Sequence, residues 1–200
     1  GLGRKIQTRA DAEDTSQQIV TDTFYDPNGE ILKQTVPYLA ATNTTYQTPT
    51  TGIRATEMTY DTLGRVTIVK NPKGDSRTTA YDHWKETTID ENGHIKREYK
   101  NAYDKITKVE EVLGGLSYAT NYAYNALQQL TSIVDPASNV FTFSYDTMSR
   151  KTSQVDPDMG TWNYTYDAVG NLLTQKDNRD ITLTKTYDEL NRITQTDHPT

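Results

Sequence analysis

Hydrophobic and polar positions alternate with a period of two along much of the chain, as in Phe141-Thr142-Phe143-Ser144-Tyr145, Trp162-Asn163-Tyr164-Thr165-Tyr166 and Ile181-Thr182-Leu183-Thr184-Lys185-Thr186-Tyr187. Strict alternation puts the aromatic and aliphatic side chains on one face of a β-strand and Thr, Ser or Asn on the other. Second strands follow at Arg65 to Lys70 and Leu172 to Lys176. No stretch shows the 3.6-residue period of an amphipathic helix.

The strands end at a recurring dipeptide. Tyr-Asp, once Tyr-Asn, stands at Tyr25-Asp26, Tyr60-Asp61, Tyr81-Asp82, Tyr103-Asp104, Tyr124-Asn125, Tyr145-Asp146, Tyr166-Asp167 and Tyr187-Asp188, the last seven spaced 21, 22, 21, 21, 21 and 21 residues apart. The fullest version is Tyr60-Asp61-Thr62-Leu63-Gly64-Arg65-Val66-Thr67. Asp or Asn at the first turn position accepts backbone hydrogen bonds, and Gly three residues later supplies the positive φ of a type I turn with a G1 bulge. Gly29, Gly64 and Gly170 fill that slot, and Asn191 tolerates the same left-handed conformation. Lys85, Gln128 and Ser149 fit it less well, which predicts a different turn there. A second set of turn residues closes each unit, at Asn71-Pro72-Lys73-Gly74, Asp135-Pro136-Ala137-Ser138, Asp156-Pro157-Asp158-Met159-Gly160 and Asp177-Asn178-Arg179-Asp180.

Each repeat is therefore two strands and two turns, and the predicted fold is all-β. It is a continuous antiparallel hairpin meander that advances by roughly 10 Å per repeat. Two irregularities interrupt it. Ile106-Thr107 sits nearly where the apolar-Thr pair should follow Tyr99, implying one unit about two residues short and the next lengthened. A Thr-rich insertion over residues 37–52 reads as a loop at a hairpin end. Gly1-Leu2-Gly3-Arg4 reads as half a repeat motif and Pro199-Thr200 as the start of a second turn, so residues 1–200 are expected to be one repeat region cut from a longer array.

Composition sharpens this picture. Only 34% of residues are hydrophobic and the mean hydropathy is -0.81, yet there are 14 Tyr and roughly a sixth of the chain is Thr. A polar chain rich in aromatic and β-branched residues suits half-solvated sheets, not disorder. A net charge of -6 without long charge blocks gives no footprint for nucleic acid or an anionic membrane. The absence of Cys removes disulfides, thiolate zinc sites and a cysteine nucleophile. No apolar run is long enough for a membrane span.

These in-register copies resemble the RHS/YD-repeat family over nearly the whole chain. In that family, which includes bacterial polymorphic toxins, the B and C components of insecticidal toxin complexes and animal teneurins, the repeats wind a spiralling sheet into a hollow shell. The insertion beginning Val36-Pro37-Tyr38 is similar to one in the toxin-complex B and SpvB-type branch. The resemblance implies a curved shell segment that encloses a C-terminal effector of a secreted bacterial toxin, with the remainder of the shell as its first partner. The alternative it implies is a cell-surface adhesion module that recognises carbohydrate or protein.

Candidate chemistry is sparse, and no catalytic, metal-binding or cofactor-binding residues are expected. Asp26-Pro27-Asn28-Gly29 is similar to the family's Asp-Pro-x-Gly-Leu self-cleavage core, but Glu30 replaces the Leu and Asp26 occupies the ordinary turn slot. His83, His94 and His198 lack the spacing of a zinc site or triad. Asp90-Glu91-Asn92-Gly93 lacks the spacing of a calcium loop, and the recurrent acids are turn formers before they are a glycosidase pair. Arg65, Arg150 and Arg192, four residues after their Asp, are expected to brace the turns. Trp162 and Tyr164, in an aromatic ladder with Phe141, Phe143, Tyr145 and Tyr166, pack across strands or stack a ligand.

Overall fold

The computed structural model describes residues 3–198. The terminal motif at Gly1-Leu2 and the final Pro199-Thr200 lie outside the described residues. The chain divides into two compact units, Gly1–Lys96 and Arg97–Thr200. All the regular structure among the described residues is β-strand. No helix there is long and apolar enough to cross a membrane.

The first unit contains β1 (Gln7–Asp11), β2 (Gln17–Tyr25), β3 (Ile31–Thr35), β4 (Tyr38–Ala41), β5 (Ala55–Tyr60), β6 (Val66–Lys70), β7 (Ser76–Asp82) and β8 (Lys85–Ile89), and β9 (Ile95–Lys100) spans the boundary. From β5 to β8 it is a plain meander, each strand antiparallel to the last. The insertion departs from the predicted loop. Its first residues form β4, which pairs Tyr38 with Val20 and Ala41 with Gln17, while β3 pairs with the other half of the same long strand, Tyr25 with Ile31. Pro37 separates β3 from β4, where a residue without an N–H ends one stretch of ladder. Only the rest of the insertion is loop, and it returns the chain to β5, which pairs with β3.

The second unit is a meander of β10 (Ile106–Leu113), β11 (Leu116–Tyr124), β12 (Leu130–Val134), β13 (Val140–Tyr145), β14 (Lys151–Asp156), β15 (Gly160–Tyr166), β16 (Leu172–Lys176), β17 (Thr182–Tyr187) and β18 (Ile193–Asp197). Each strand pairs antiparallel with the next. The register slips by one residue immediately before Tyr124, Tyr145, Tyr166 and Tyr187, as it does before Tyr25 and Tyr60 in the first unit. These are the bulges that a Gly-type turn builds into a hairpin.

Neither unit has a thick core. Among the described residues, Val20 is the one fully buried hydrophobic side chain, and Asp22, Thr35 and Asp177 are the buried polar ones. Such a sheet gains little from apolar burial and must be held by its ladders, turns and cross-strand side-chain contacts.

Candidate functional site

The unit that recurs is the junction between one repeat and the next, and it starts from the turn. At Asp146 one carboxylate oxygen accepts the backbone N–H groups of Met148 and Arg150, both at 2.9 Å, and the other accepts Arg150 Nε at 2.7 Å. Asp61 with Leu63 and Arg65, and Asp188 with Leu190 and Arg192, repeat the arrangement. At Asp167 the second oxygen takes Asn171 Nδ2 instead, at 2.8 Å. The backbone N–H four residues on, the strongest influence, and the bound arginine hold the carboxyls of Asp61, Asp146 and Asp188 below their usual range.

Two turn expectations change. Gln128 and Ser149 do not adopt another turn: they occupy the glycine slot with φ of 59° and 66°, each donating its N–H back to Asn125 or Asp146. The side-chain acceptor pins enough N–H groups to hold a non-glycine residue in the left-handed region. Lys85 does mark a different turn, since Asp82 pairs directly with Lys85 across a two-residue loop in which His83 has φ of 51°.

The dipeptide Tyr103-Asp104 is not a repeat start. The turn acceptor is Asn101, which takes the N–H groups of Tyr103 and Lys105, and Asp104 fills the glycine slot at φ 59°. Lys100 therefore occupies the tyrosine position, and the short and long repeats inferred around Tyr99 are real. The second turns use the same chemistry: Asn71, Asp90, Asp135 and Asp177 each accept the N–H four residues on, at 2.8 to 3.1 Å.

Sequence reasoning missed what the tyrosines do. Tyr145 Oη donates to the carbonyl of Leu130 at 2.9 Å, Tyr166 to Lys151 at 2.8 Å and Tyr187 to Leu172 at 2.9 Å. Tyr60, Tyr81 and Tyr124 reach Ile31, Val66 and Ile106, and Tyr25 reaches Lys5. Except at Lys5, the acceptor is the first residue of the strand that leaves the preceding first-type turn. The tyrosine is thus a tether to the repeat before it. Burial pushes the Tyr60, Tyr124 and Tyr166 phenols above their usual value, which keeps them protonated as donors. The arginines add to the junction. The Arg65 guanidinium lies 4.2 Å from the Tyr81 ring centre, and Arg150 lies 4.9 Å from that of Tyr166 while donating to the Asp167 carbonyl at 2.6 Å. The signal for this contact was present as the 15-residue offset between Tyr81, Tyr145, Tyr166 and Tyr187 and the residue that opens the strand after the previous turn.

Asp26 sits in an ordinary turn, accepting the N–H groups of Gly29 and Glu30 at 2.6 and 2.8 Å. His83 and His94 contact Asp82 and Asp90, His198 is exposed, and no group of three metal-ligating side chains occurs among the described residues. Trp162 and Tyr164 share one strand face. Tyr164 packs under Lys151 Nζ at 4.9 Å from its ring centre, whereas Trp162 borders a cleft of about 350 Å3 with Asp158, Met159, Asp177, Asn178 and Arg179, its indole N–H without a partner.

The RHS Repeat family matches residues 124–159 and 166–200. No curated protein matches the sequence. Among solved structures, the fold is similar to that of TcdB2-TccC3-Cdc42 and of TcdB2-TccC3, each with a TM-score of 0.76 and 18% identity over 97% of this chain. A Photorhabdus luminescens Tc holotoxin pore matches 92% of it, with a TM-score of 0.73 and 18% identity. The chain spans 10 to 12% of the length of these structures.

Proposed function

From the premise that this chain is built of RHS repeats, we propose that it is a wall segment of an RHS-repeat shell that encloses the effector portion of a secreted bacterial toxin. The observation that carries this reading is the tyrosine tether. A sheet with almost no buried apolar residue is held repeat to repeat by side-chain-to-backbone bonds, which suits a thin wall better than a packed domain. Its chemistry is architectural: the recurrent turn acids and the arginines that follow them hold the turns, and the wall does no catalysis. Likeness to TcdB2-TccC3 supports the fold of such a wall.

Limited proteolysis of the longest polypeptide that carries these repeats tests the proposal. The segment after the repeats should resist cleavage while the repeats are folded, and become cleavable when Tyr145→Phe, Tyr166→Phe and Tyr187→Phe are combined. Equal cleavage rates with and without an intact repeat sheet would refute enclosure.

One observation favours a second reading, carbohydrate recognition on a YD-repeat surface: Trp162 borders a cleft whose other lining includes Asp158, Asp177, Asn178 and Arg179. A glycan array on the chain decides it. Binding lost in Trp162→Phe supports recognition, and no binding to any glycan ends it.

A further inference from the structure

The chain has two asparagines followed by glycine, Asn28-Gly29 and Asn92-Gly93, and both pairs sit in hairpin turns. Such a pair carries chemistry of its own, because glycine has no side chain to keep its backbone nitrogen from reaching the amide carbon of the asparagine. The fold treats the two pairs differently.

At Asn28-Gly29 the reacting groups are held. The Gly29 N–H donates to Asp26 Oδ1 at 2.6 Å and to the Asp26 carbonyl at 3.1 Å. The Asn28 side-chain amide donates to Asp26 Oδ2 at 3.5 Å, and Arg4 lies against Gly29 while donating to the Asn28 carbonyl at 3.3 Å. At Asn92-Gly93 the same groups are open. The Asp90 carboxylate accepts the Asn92 and His94 N–H groups at 2.9 and 2.8 Å, and its second oxygen contacts His94 Nδ1 at 2.9 Å. Gly93 N–H is left with one neutral bond, to the Asp90 carbonyl at 3.1 Å. The Asn92 side-chain amide makes no hydrogen bond to a described residue. No atom stands within 4 Å of the place a Gly93 side chain would take, and residues 91–94 are all exposed.

We infer that Asn92 is a self-modification site: it deamidates through attack by the Gly93 backbone nitrogen, while the fold protects Asn28 from the same reaction. Opening the turn breaks the bond to the Asp90 carbonyl, and solvent base takes the Gly93 amide proton. The nitrogen bonds to Asn92 Cγ, the Cγ–Nδ2 bond breaks, and Nδ2 leaves as ammonia after gaining a proton from solvent, which gives a cyclic imide. Water then opens the imide. Addition at Cγ yields aspartate, and addition at the main-chain carbonyl carbon yields isoaspartate, with the chain running through the former side chain. The sum is an amide and water converted to a carboxylate and ammonium, with no oxidation or reduction. Both products add a negative charge beside Asp90 and Glu91, and the isoaspartyl form lengthens the main chain by a methylene in the turn between β8 and β9. Because ammonia is lost, the change is one-way, and the turn comes to record the age of the chain. The inference does not depend on what the wall encloses.

Peptide mapping by mass spectrometry tests it on the 200-residue chain incubated at mildly alkaline pH, with aspartate and isoaspartate resolved chromatographically. In the folded chain Asn92 should convert roughly tenfold faster than Asn28, since a bond to a carboxylate holds an N–H more tightly than a bond to a neutral carbonyl. In concentrated urea the two should convert at similar rates, because the protecting contacts of Asn28 are gone. Gly93→Gln should slow Asn92 conversion roughly tenfold by hindering the nitrogen, and the turn tolerates that residue, as Gln128 shows in the corresponding slot at φ 59°. Asn28 keeping pace with Asn92 in the folded chain, a difference that persists unchanged in urea, or a Gln variant that converts at the native rate would each overturn the inference.

Discussion

Replacing Tyr166 by Phe removes one atom from a repeat junction and leaves the rest in place. The ring stays, so the Arg150 guanidinium keeps the aromatic face it covers at 4.9 Å. What is lost is the 2.8 Å bond from the hydroxyl to the Lys151 carbonyl. A neutral bond of this kind contributes about 1 kcal/mol net, and a half-buried carbonyl left without its donor regains some hydration, which holds the cost near that value. Tyr145, Tyr166 and Tyr187 bond to different carbonyls, those of Leu130, Lys151 and Leu172. With no shared partner, the three substitutions should add to about 3 kcal/mol. In urea denaturation the midpoint should fall in step while the slope stays constant, since the surface exposed on unfolding does not change. Tyr103→Phe is the control: Tyr103 sits exposed at a turn tip, outside the tethering register, and its loss of hydroxyl should be silent. A triple variant within about 0.5 kcal/mol of the native chain, which is the limit of additivity, would refute the tether. So would a Tyr103 variant as costly as the Tyr166 variant.

Asp146→Ala should lower the urea midpoint, because it strips the acceptor from two backbone N–H groups and from Arg150. Asp146→Asn should recover part of that in the same denaturation assay. Gln128→Gly should stabilise by roughly 0.5 kcal/mol or more, since glycine relieves the left-handed cost at φ 59°, whereas Gly64→Ala at φ 77° should do the opposite. Acid should weaken the fold. Glu110 is held down to about 2 from 4.5 by Ser117 first and then Arg97 and Lys108, and the Asp61, Asp146 and Asp188 carboxyls are also lowered. Depressed folded-state values mean stability that is complete above the unfolded values near 4 and is lost as the pH falls towards 2. A circular dichroism melt series should show a plateau above about pH 5 and a decline below it. A flat profile down to pH 2 would contradict these contacts.

How far the sequence reveals the fold depends on the range of the interactions that set each feature. The turns were legible because their chemistry is local: Asp61 and Gly64 lie three residues apart and contain most of what their turn requires. The same locality misleads at Tyr103-Asp104, where the dipeptide is right and the ladder register assigns its role to Lys100 and Asn101. Gln128 and Ser149 were misjudged because glycine is only one way to occupy the left-handed slot, and the bonds of Asn125 and Asp146 provide another. The tyrosine tether spans 15 residues and runs to a backbone carbonyl, an acceptor that every residue carries and that leaves no mark on composition. Strand β4 was hidden for a related reason: its partner residues, Gln17 to Val20, lie far upstream, and Tyr38-Leu39-Ala40-Ala41 has little alternation of its own.

That hidden strand explains the most unusual side chain in the first unit. Asp22 is buried within β2, where a carboxylate is costly unless its oxygens are bonded. Gln7 Nε2 and Tyr38 Oη each donate to it at 2.6 Å, one from β1 and one from β4, while its own backbone N–H reaches Thr35 Oγ1 at 2.9 Å. Gln7 also accepts from and donates to the backbone of Gln47, which draws the loop of the insertion onto the same point. The insertion breaks the repeat period, yet the tyrosine tether still crosses it, from Tyr60 Oη to the Ile31 carbonyl at 2.8 Å. Asp22 adds a second fastening for the inserted strand: its carboxylate joins β1 to β4 and its N–H reaches β3, close to Val20, the one buried apolar residue among those described. The sheet is thus held in two ways that obey the same rule. From repeat to repeat a phenol reaches back to a carbonyl, across the insertion as well, and where the inserted strand joins the sheet a buried carboxylate gathers further donors.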